Sequence, residues 1–187
     1  MRYPNNCLSE KRIKNRSASK MKLVQLARGI ATYVPGLNHY LAKGTGGTNS
    51  ARYCYYVWLR HLVMAKRNGL NPFPRVVAEL GPGDSLGVGL AALISGCAKY
   101  LAFDMIAHAN AKRNIMVFEE LVDLFGNGTA IPGEDEFPKA KPYLDDYSFP
   151  ADIFDKNRLQ VALEESRLNK IRKSISYPQN DESVIQY

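Results

Sequence analysis

Short apolar runs separated by turn residues predict strands and helices that alternate along this chain. Between residues 76 and 104 the pattern predicts a buried strand over Val76–Leu80, a glycine turn, an apolar helix and a second strand that ends at Asp104. A strand, a helix and a strand in this order form a β-α-β unit with parallel strands. The centre of the chain therefore predicts a parallel sheet.

Further elements are predicted on both sides of this unit. Helices are expected over about 19–33, 51–68, 106–125 and 155–174, and a short third strand over about 183–187. Ser50 is the expected N-cap of the second helix and Gly69 its end, and the tyrosines of that helix are expected in the core. The proline-rich stretch from residue 126 to residue 150 predicts a long loop.

Pro72 and Pro74 mark the expected boundary between two parts of the chain. Residues 1–70 are predicted to form a basic N-terminal extension and a helical cap, and residues 71–187 to form the sheet domain. The predicted fold class is α/β, with a partial Rossmann-like parallel sheet of about three strands and an N-terminal helical cap.

Residues that suit ligand binding surround the glycine turn. Gly81 and Gly83 allow the backbone to approach a ligand where a Cβ would block it, and Glu79 comes just before them. Asp104 ends the second strand at the same rim of the sheet, where a carboxylate can accept hydrogen bonds from both hydroxyls of a ribose. These residues predict one crevice for a ligand that contains adenosine.

The segment from Glu79 to Gly83, Glu-Leu-Gly-Pro-Gly, resembles the first motif of class I S-adenosylmethionine-dependent methyltransferases. The resemblance implies that S-adenosylmethionine is the cofactor. It also implies that Glu79 lies near the methionine end of the cofactor, that the backbone of Gly81, Pro82 and Gly83 lies against it, and that Asp104 holds the ribose. The activity it implies is methyl transfer to an acceptor that the resemblance does not identify. A small molecule or a sugar-type compound is the candidate acceptor.

The same glycines also fit a second family. From Gly83 to Gly89 the chain resembles the Gly-x-x-x-Gly-x-Gly turn of short-chain dehydrogenases, which bind NAD(P). Asp84 or Ser85 is expected to cap the following helix, whose free N–H groups would favour a carboxylate or a phosphate. However, Glu79 would repel a pyrophosphate, and no Tyr has the Lys four places later that these dehydrogenases need. A non-catalytic nucleotide-binding module is a third interpretation.

The resemblance to methyltransferases covers residues 74–110 closely and the following residues loosely. That family has seven strands in the order 3-2-1-4-5-7-6, whereas this chain offers candidates for the first three. Without the later strands, Val76–Leu80 becomes a sheet edge with uncovered apolar side chains. We therefore expect a truncated or partial methyltransferase, with weak cofactor binding and no turnover alone.

The net charge of +7 is unevenly distributed along the chain. Residues 1–70 hold thirteen Lys and Arg residues against the single acid Glu10, whereas the other 117 residues hold twelve basic and seventeen acidic residues. The basic part predicts either an attraction for an anionic partner or a solvated face with a disordered leader. No specific nucleic-acid-binding motif is present.

Composition narrows the remaining possibilities. Chain length and the hydrophobic fraction of 45% predict one substantial core, and no run of eighteen apolar residues or signal peptide is found. A cytoplasmic location without a transmembrane segment is therefore expected. The spacing of the three cysteines and three histidines predicts neither a disulfide nor a metal site. The candidate bases that cannot be ranked from sequence are His39, His61 and Tyr55.

Overall fold

The computed structural model describes residues 47–105, 109–138, 141–178 and 180–187. In chain order these residues form α1 (Ala51–Arg67), β1 (Val76–Leu80), α2 (Gly87–Ile94), β2 (Lys99–Phe103), α3 (Ala111–Gly126), α4 (Lys156–Ala162), α5 (Glu165–Ser176) and β3 (Ile185–Gln186). They belong to a compact unit that spans residues 44–187. The predicted helix over 19–33 lies outside the described residues.

The three strands form one parallel sheet in the order β1-β2-β3. Val76 pairs with Lys99 and Leu80 with Phe103, while Tyr100 of β2 pairs with Ile185 of β3. Helix α2 connects β1 to β2. The predicted α/β class is confirmed, and the arrangement is consistent with a partial Rossmann-like fold.

Helix α2 is buried on almost all sides. Seven of its eight residues are buried, because it contacts the sheet as well as α1 and α3. A helix without a polar face is stable only inside a core. A Cβ at Gly87 would overlap Sγ of Cys54 on α1, and a Cβ at Gly89 would overlap the ring of Tyr100 on β2. The two glycines therefore allow α2 to pack closely against both neighbours.

Helix α1 has the predicted boundaries and the predicted buried face. The Ser50 side chain accepts a backbone hydrogen bond from the first turn, and Gly69 follows the helix with a φ of +94°. The indole Nε1 of Trp58 donates to Ser95 Oγ at 2.9 Å, at the end of α2. The buried aromatic residues of this helix are Tyr55, Tyr56 and Trp58. The expectation that the tyrosines of this helix lie in the core is confirmed for Tyr55 and Tyr56, whereas Tyr53 is half-buried and packs against the core.

Two predicted helices differ from the observed ones. Helix α3 begins at Ala111 rather than at residue 106, because the Asn110 side chain caps it by accepting the backbone N–H of Arg113 at 3.0 Å. The helix expected over 155–174 is divided into α4 and α5. The division occurs because Leu163 and Leu168 are five residues apart, which is out of step with a helical face.

The segment between α3 and α4 packs along α1. Tyr55 Oη donates to the carbonyl of Thr129 at 2.5 Å, and Arg52 forms a salt bridge with Glu136 at 2.6 Å. Arg60 is completely buried, donates to the carbonyl of Pro142 and lies over tyrosine rings. The loop suggested by the prolines is thus held against the core by hydrogen bonds and ring contacts.

One face of the sheet carries exposed apolar side chains. Val76 is 53% exposed, Leu80 84% and Phe103 55%, and these residues alternate with side chains that face the helices. Among the described residues β1 pairs only with β2, so β1 is an edge strand there. This agrees with the expected edge position of Val76–Leu80.

Substitution of Gly89 by alanine tests the packing of α2. In Gly89→Ala the new methyl group would overlap the Tyr100 ring, so the free energy of unfolding should fall by about 1–3 kcal/mol. Gly126→Ala is the matched control, because a Cβ at that helical position meets no atom within 4 Å and should change stability by less than about 1 kcal/mol. Urea unfolding measures both variants. Equal stabilities of the two variants would contradict the packing described here.

Candidate functional site

The carboxyl ends of β1 and β2 bring the predicted site residues to one rim of the sheet. Glu79 pairs with Ala102 in the register, and the Gly81 N–H donates to the Phe103 carbonyl at 2.8 Å. Asp104 follows Phe103 directly and is exposed. The structure therefore places Glu79, Gly81 and Asp104 at the same edge of neighbouring strands.

The turn after β1 has the backbone conformation that its glycines favour. Gly81 has a φ of +69° and Gly83 a φ of +80°, both in the left-handed region. A Cβ at Gly81 would meet no atom within 4 Å, so the space beside this residue is open. Pro82 is buried and Gly83 is half-buried. The accessible backbone of the turn is therefore centred on Gly81.

The Glu79 carboxylate lies on the covered face of the sheet. The Tyr100 hydroxyl donates to Glu79 Oε2 at 2.5 Å. Burial raises the pKa of Glu79 above its ordinary value, whereas the hydrogen bonds from Tyr100 and from the Gly89 N–H lower it. Among the described residues no Lys or Arg forms a salt bridge with Glu79. When Glu79 is ionised, hydrogen bonds from uncharged donors stabilise its negative charge.

The beginning of α2 differs from the sequence expectation. The N–H of Leu86 donates to Asn114 Oδ1 at 3.0 Å, and that of Gly87 donates to Ser85 Oγ at 3.1 Å. The Gly89 N–H donates to Glu79. The N-cap residue of α2 is Leu86, which makes no side-chain capping hydrogen bond, so the expectation that Asp84 or Ser85 occupies this position is wrong. The expectation of free N–H groups is also wrong for these three amides. Protein acceptors already satisfy them.

Residues outside the predicted set also hold the turn in place. The N–H of Asp84 donates to Thr48 Oγ1 at 3.0 Å, and Arg113 Nη1 donates to the Asp84 carbonyl at 3.1 Å. The Ser85 hydroxyl donates to the Thr48 carbonyl. Thr48 belongs to a glycine-rich stretch over residues 43–50 that precedes α1, and its hydrogen bonds place this residue against the turn. No sequence signal identified Arg113 or Asn114, because their contacts depend on how α3 packs.

The candidate bases do not contact the glycine turn through any described hydrogen bond. Tyr55 donates to the Thr129 carbonyl, and His61 is exposed on α1 with its Nδ1 at 2.7 Å from the Val57 carbonyl. His39 lies outside the described residues. Tyr143 and Asp145 in the long loop also contact α1, through Arg60 and Arg67. The geometry assigns no catalytic base.

The rim around the turn is open to solvent rather than enclosed. Leu80, Gly81, Phe103 and Asp104 are all exposed. A surface cavity of about 440 Å³ lies elsewhere, beside α5, and its lining includes Lys170, Lys173 and Ser183. We place the candidate site at the rim because the acidic residues and the open glycine backbone lie there.

Comparison with known proteins adds no further assignment, because the chain matches no protein-family model, no curated protein and no solved structure. Across the described parts of the chain, no helix has the length and apolarity needed to cross a membrane. The same parts contain no group of three or more Cys, His, Asp and Glu side chains arranged to hold a metal ion.

The pH dependence of stability tests the environment of Glu79. Its pKa is raised above 4.5 in the folded protein, so the stabilisation from its protonated form is complete below about pH 4.5 and is lost as the pH rises through the raised value. Wild type should therefore lose free energy of unfolding over this range relative to Glu79→Gln, which cannot ionise. Urea unfolding between about pH 4 and pH 8 measures the difference.

The control for this experiment is Glu120→Gln, which neutralises an exposed glutamate of α3. This control should follow the wild-type dependence on pH in the range where Glu79 titrates. Parallel curves for wild type and Glu79→Gln would mean that the pKa of Glu79 is not raised in the folded protein.

Proposed function

We propose that this protein binds S-adenosylmethionine at the rim formed by β1 and β2 and provides the cofactor-binding part of a methyltransferase whose acceptor is still unidentified. The observation that carries the proposal is the position of Glu79 and Asp104 at the carboxyl ends of neighbouring strands, beside a glycine turn with open space at Gly81. Each of these groups suits a different part of the cofactor.

The residues at the rim fit the cofactor chemically. Glu79 would attract the cationic amino acid end, because its own charge has no salt-bridge partner among the described residues. The exposed backbone at Gly81 would lie against the cofactor, because a Cβ there would meet no atom within 4 Å, whereas the buried Pro82 is not accessible to it. Asp104 would accept hydrogen bonds from the ribose hydroxyls.

When bound, S-adenosylmethionine would supply an activated methyl group on a sulfonium sulfur. The protein would mainly bind and orient the two reactants, which lowers the entropic part of the barrier. The proposed acceptor is a small molecule or a sugar-type compound, and the basic residues of the first seventy would favour an anionic one. A cytoplasmic location is part of the proposal, and the buried free thiols of Cys54 and Cys97 are consistent with it.

The arrangement at α2 supports S-adenosylmethionine over a dinucleotide. A pyrophosphate needs free N–H groups at a helix N-terminus, but three amides at the beginning of α2 already have protein acceptors. Gly87 and Gly89 leave no gap for a ligand either, since Cys54 and Tyr100 fill the space beside them. NAD(P) binding is therefore the weaker alternative.

Isothermal titration calorimetry with S-adenosylmethionine, S-adenosylhomocysteine and NAD tests the proposal. We expect the first two ligands to bind and NAD not to bind. In Asp104→Ala the loss of hydrogen bonds to a charged acceptor should weaken binding by about 1.5–3 kcal/mol. Asp123→Ala makes the same charge change at an exposed position of α3, roughly 20 Å along the helix axis from the N-cap residue Asn110, and should bind like wild type.

Three results would count against the proposal. Binding of NAD alone would favour the dehydrogenase-like interpretation. Equal affinities of Asp104→Ala and Asp123→Ala would remove Asp104 from the site. Failure of all three ligands to bind would overturn the proposed cofactor and favour a non-catalytic module.

A further inference from the structure

Tyr100 of β2 is a buried tyrosine whose hydroxyl has a carboxylate as its hydrogen-bond partner. Tyr100 has no exposed surface, and its hydroxyl donates to a carboxylate, Glu79 Oε2, at 2.5 Å. Tyr55, which is equally buried, donates to a backbone carbonyl instead. A hydrogen bond to a charged acceptor is stronger than one to a neutral acceptor, so it fixes the acceptor group more firmly.

The sheet register explains how Tyr100 reaches this carboxylate. Tyr100 is paired with Val77, two residues before the position of Glu79 on β1, and both side chains lie on the covered face. Two residues of a parallel strand span roughly 6.6 Å, a distance that a tyrosine side chain leaning along the strand can bridge. The hydroxyl therefore approaches Glu79 from the side of Val77, which is farther from the open rim than Glu79.

Gly89 of α2 completes this arrangement. Its missing Cβ leaves the space in which the Tyr100 ring lies, and its N–H donates to the same Glu79 carboxylate. Two neutral donors, one from β2 and one from α2, thus hold the carboxylate without cancelling its charge. This combination orients an acid and keeps it attractive to a cation.

We propose that Tyr100 is a positioning residue for the candidate site, and that its hydroxyl holds the Glu79 carboxylate in the orientation that receives the cationic amino acid end of S-adenosylmethionine. The inference rests on the proposed function for the identity of the ligand. The geometry of Tyr100, Glu79 and Gly89 stands independently of that identity. Tyr100 acts through Glu79 and is not expected to touch the reacting atoms.

Tyr100→Phe is the direct test, because the ring under Gly89 stays and only the hydroxyl is lost. The hydroxyl lowers the pKa of Glu79, so its removal should shift the titration of the Glu79 carboxyl to higher pH, as measured by NMR on protein labelled with ¹³C at glutamate. Affinity for S-adenosylmethionine should fall by about tenfold, because the carboxylate is no longer held in the receiving orientation.

The interpretation of this titration depends on the groups near Glu79. Burial, and to a smaller extent the Glu79 charge, raises the pKa of the Cys54 thiol on α1 to about 12 and also raises the pKa of Tyr100 on β2. Tyr187, just after β3, also raises the pKa of Tyr100. The thiol and the Tyr100 hydroxyl stay protonated near neutral pH, so the change measured there belongs to Glu79.

Tyr55→Phe is the matched control, since it removes an equally buried hydroxyl whose acceptor is the Thr129 carbonyl. It should lower stability without changing the Glu79 titration or the affinity. The double variant Glu79→Gln with Tyr100→Phe provides a second test. If Tyr100 acts through Glu79, Tyr100→Phe should not weaken binding further in the Glu79→Gln background.

The outcomes separate this inference from the proposed function. An unchanged Glu79 titration in Tyr100→Phe overturns the inference whether or not the ligand binds. Unchanged affinity of Tyr100→Phe, for a wild type that does bind, also overturns it. If Tyr100→Phe shifts the Glu79 titration but the wild type binds no S-adenosylmethionine, the positioning of Glu79 is supported and the proposed cofactor is overturned.

Discussion

The contact between Gly89 of α2 and the ring of Tyr100 is the constraint on which the core and the candidate site both depend. It allows a helix without a polar face to lie directly on the sheet. It also positions the Tyr100 ring so that the hydroxyl donates to Glu79. Since interiors are packed almost without voids, the position of the carboxylate follows from the position of the helix. The stability of the core and the geometry of the candidate site therefore depend on the same few atoms.

This contact also changes the meaning of the glycine pattern. The spacing of Gly83, Gly87 and Gly89 alone resembles a dinucleotide-binding motif. However, Gly87 and Gly89 lack side chains because α2 packs closely against its neighbours at these two positions. Glu79 itself accepts one of the amides at the beginning of α2, where a bound anion would otherwise benefit from the helix dipole. A site that already contains its own carboxylate is better suited to a positive ligand group than to a phosphate.

The elements around the β-α-β unit could be predicted from the sequence because local signals agreed with one another. Ser50 precedes α1 and Gly69 follows it, as expected, and the apolar run of β1 is followed directly by the glycine turn. Sequence reasoning could not predict the acceptor of the Leu86 amide, because Asn114 lies 28 residues away and reaches it only after α3 has packed. It also missed the division between α4 and α5, where the apolar spacing changes by one residue.

The bare sheet face has a practical consequence for work with this protein. Leu80 and Phe103 present apolar surface next to a strand whose outer backbone groups have no ladder partner among the described residues. Such a surface can add strands from neighbouring molecules and so favours aggregation in concentrated solutions. Light scattering over a dilution series therefore belongs before any calorimetric titration, since self-association would contribute its own heat.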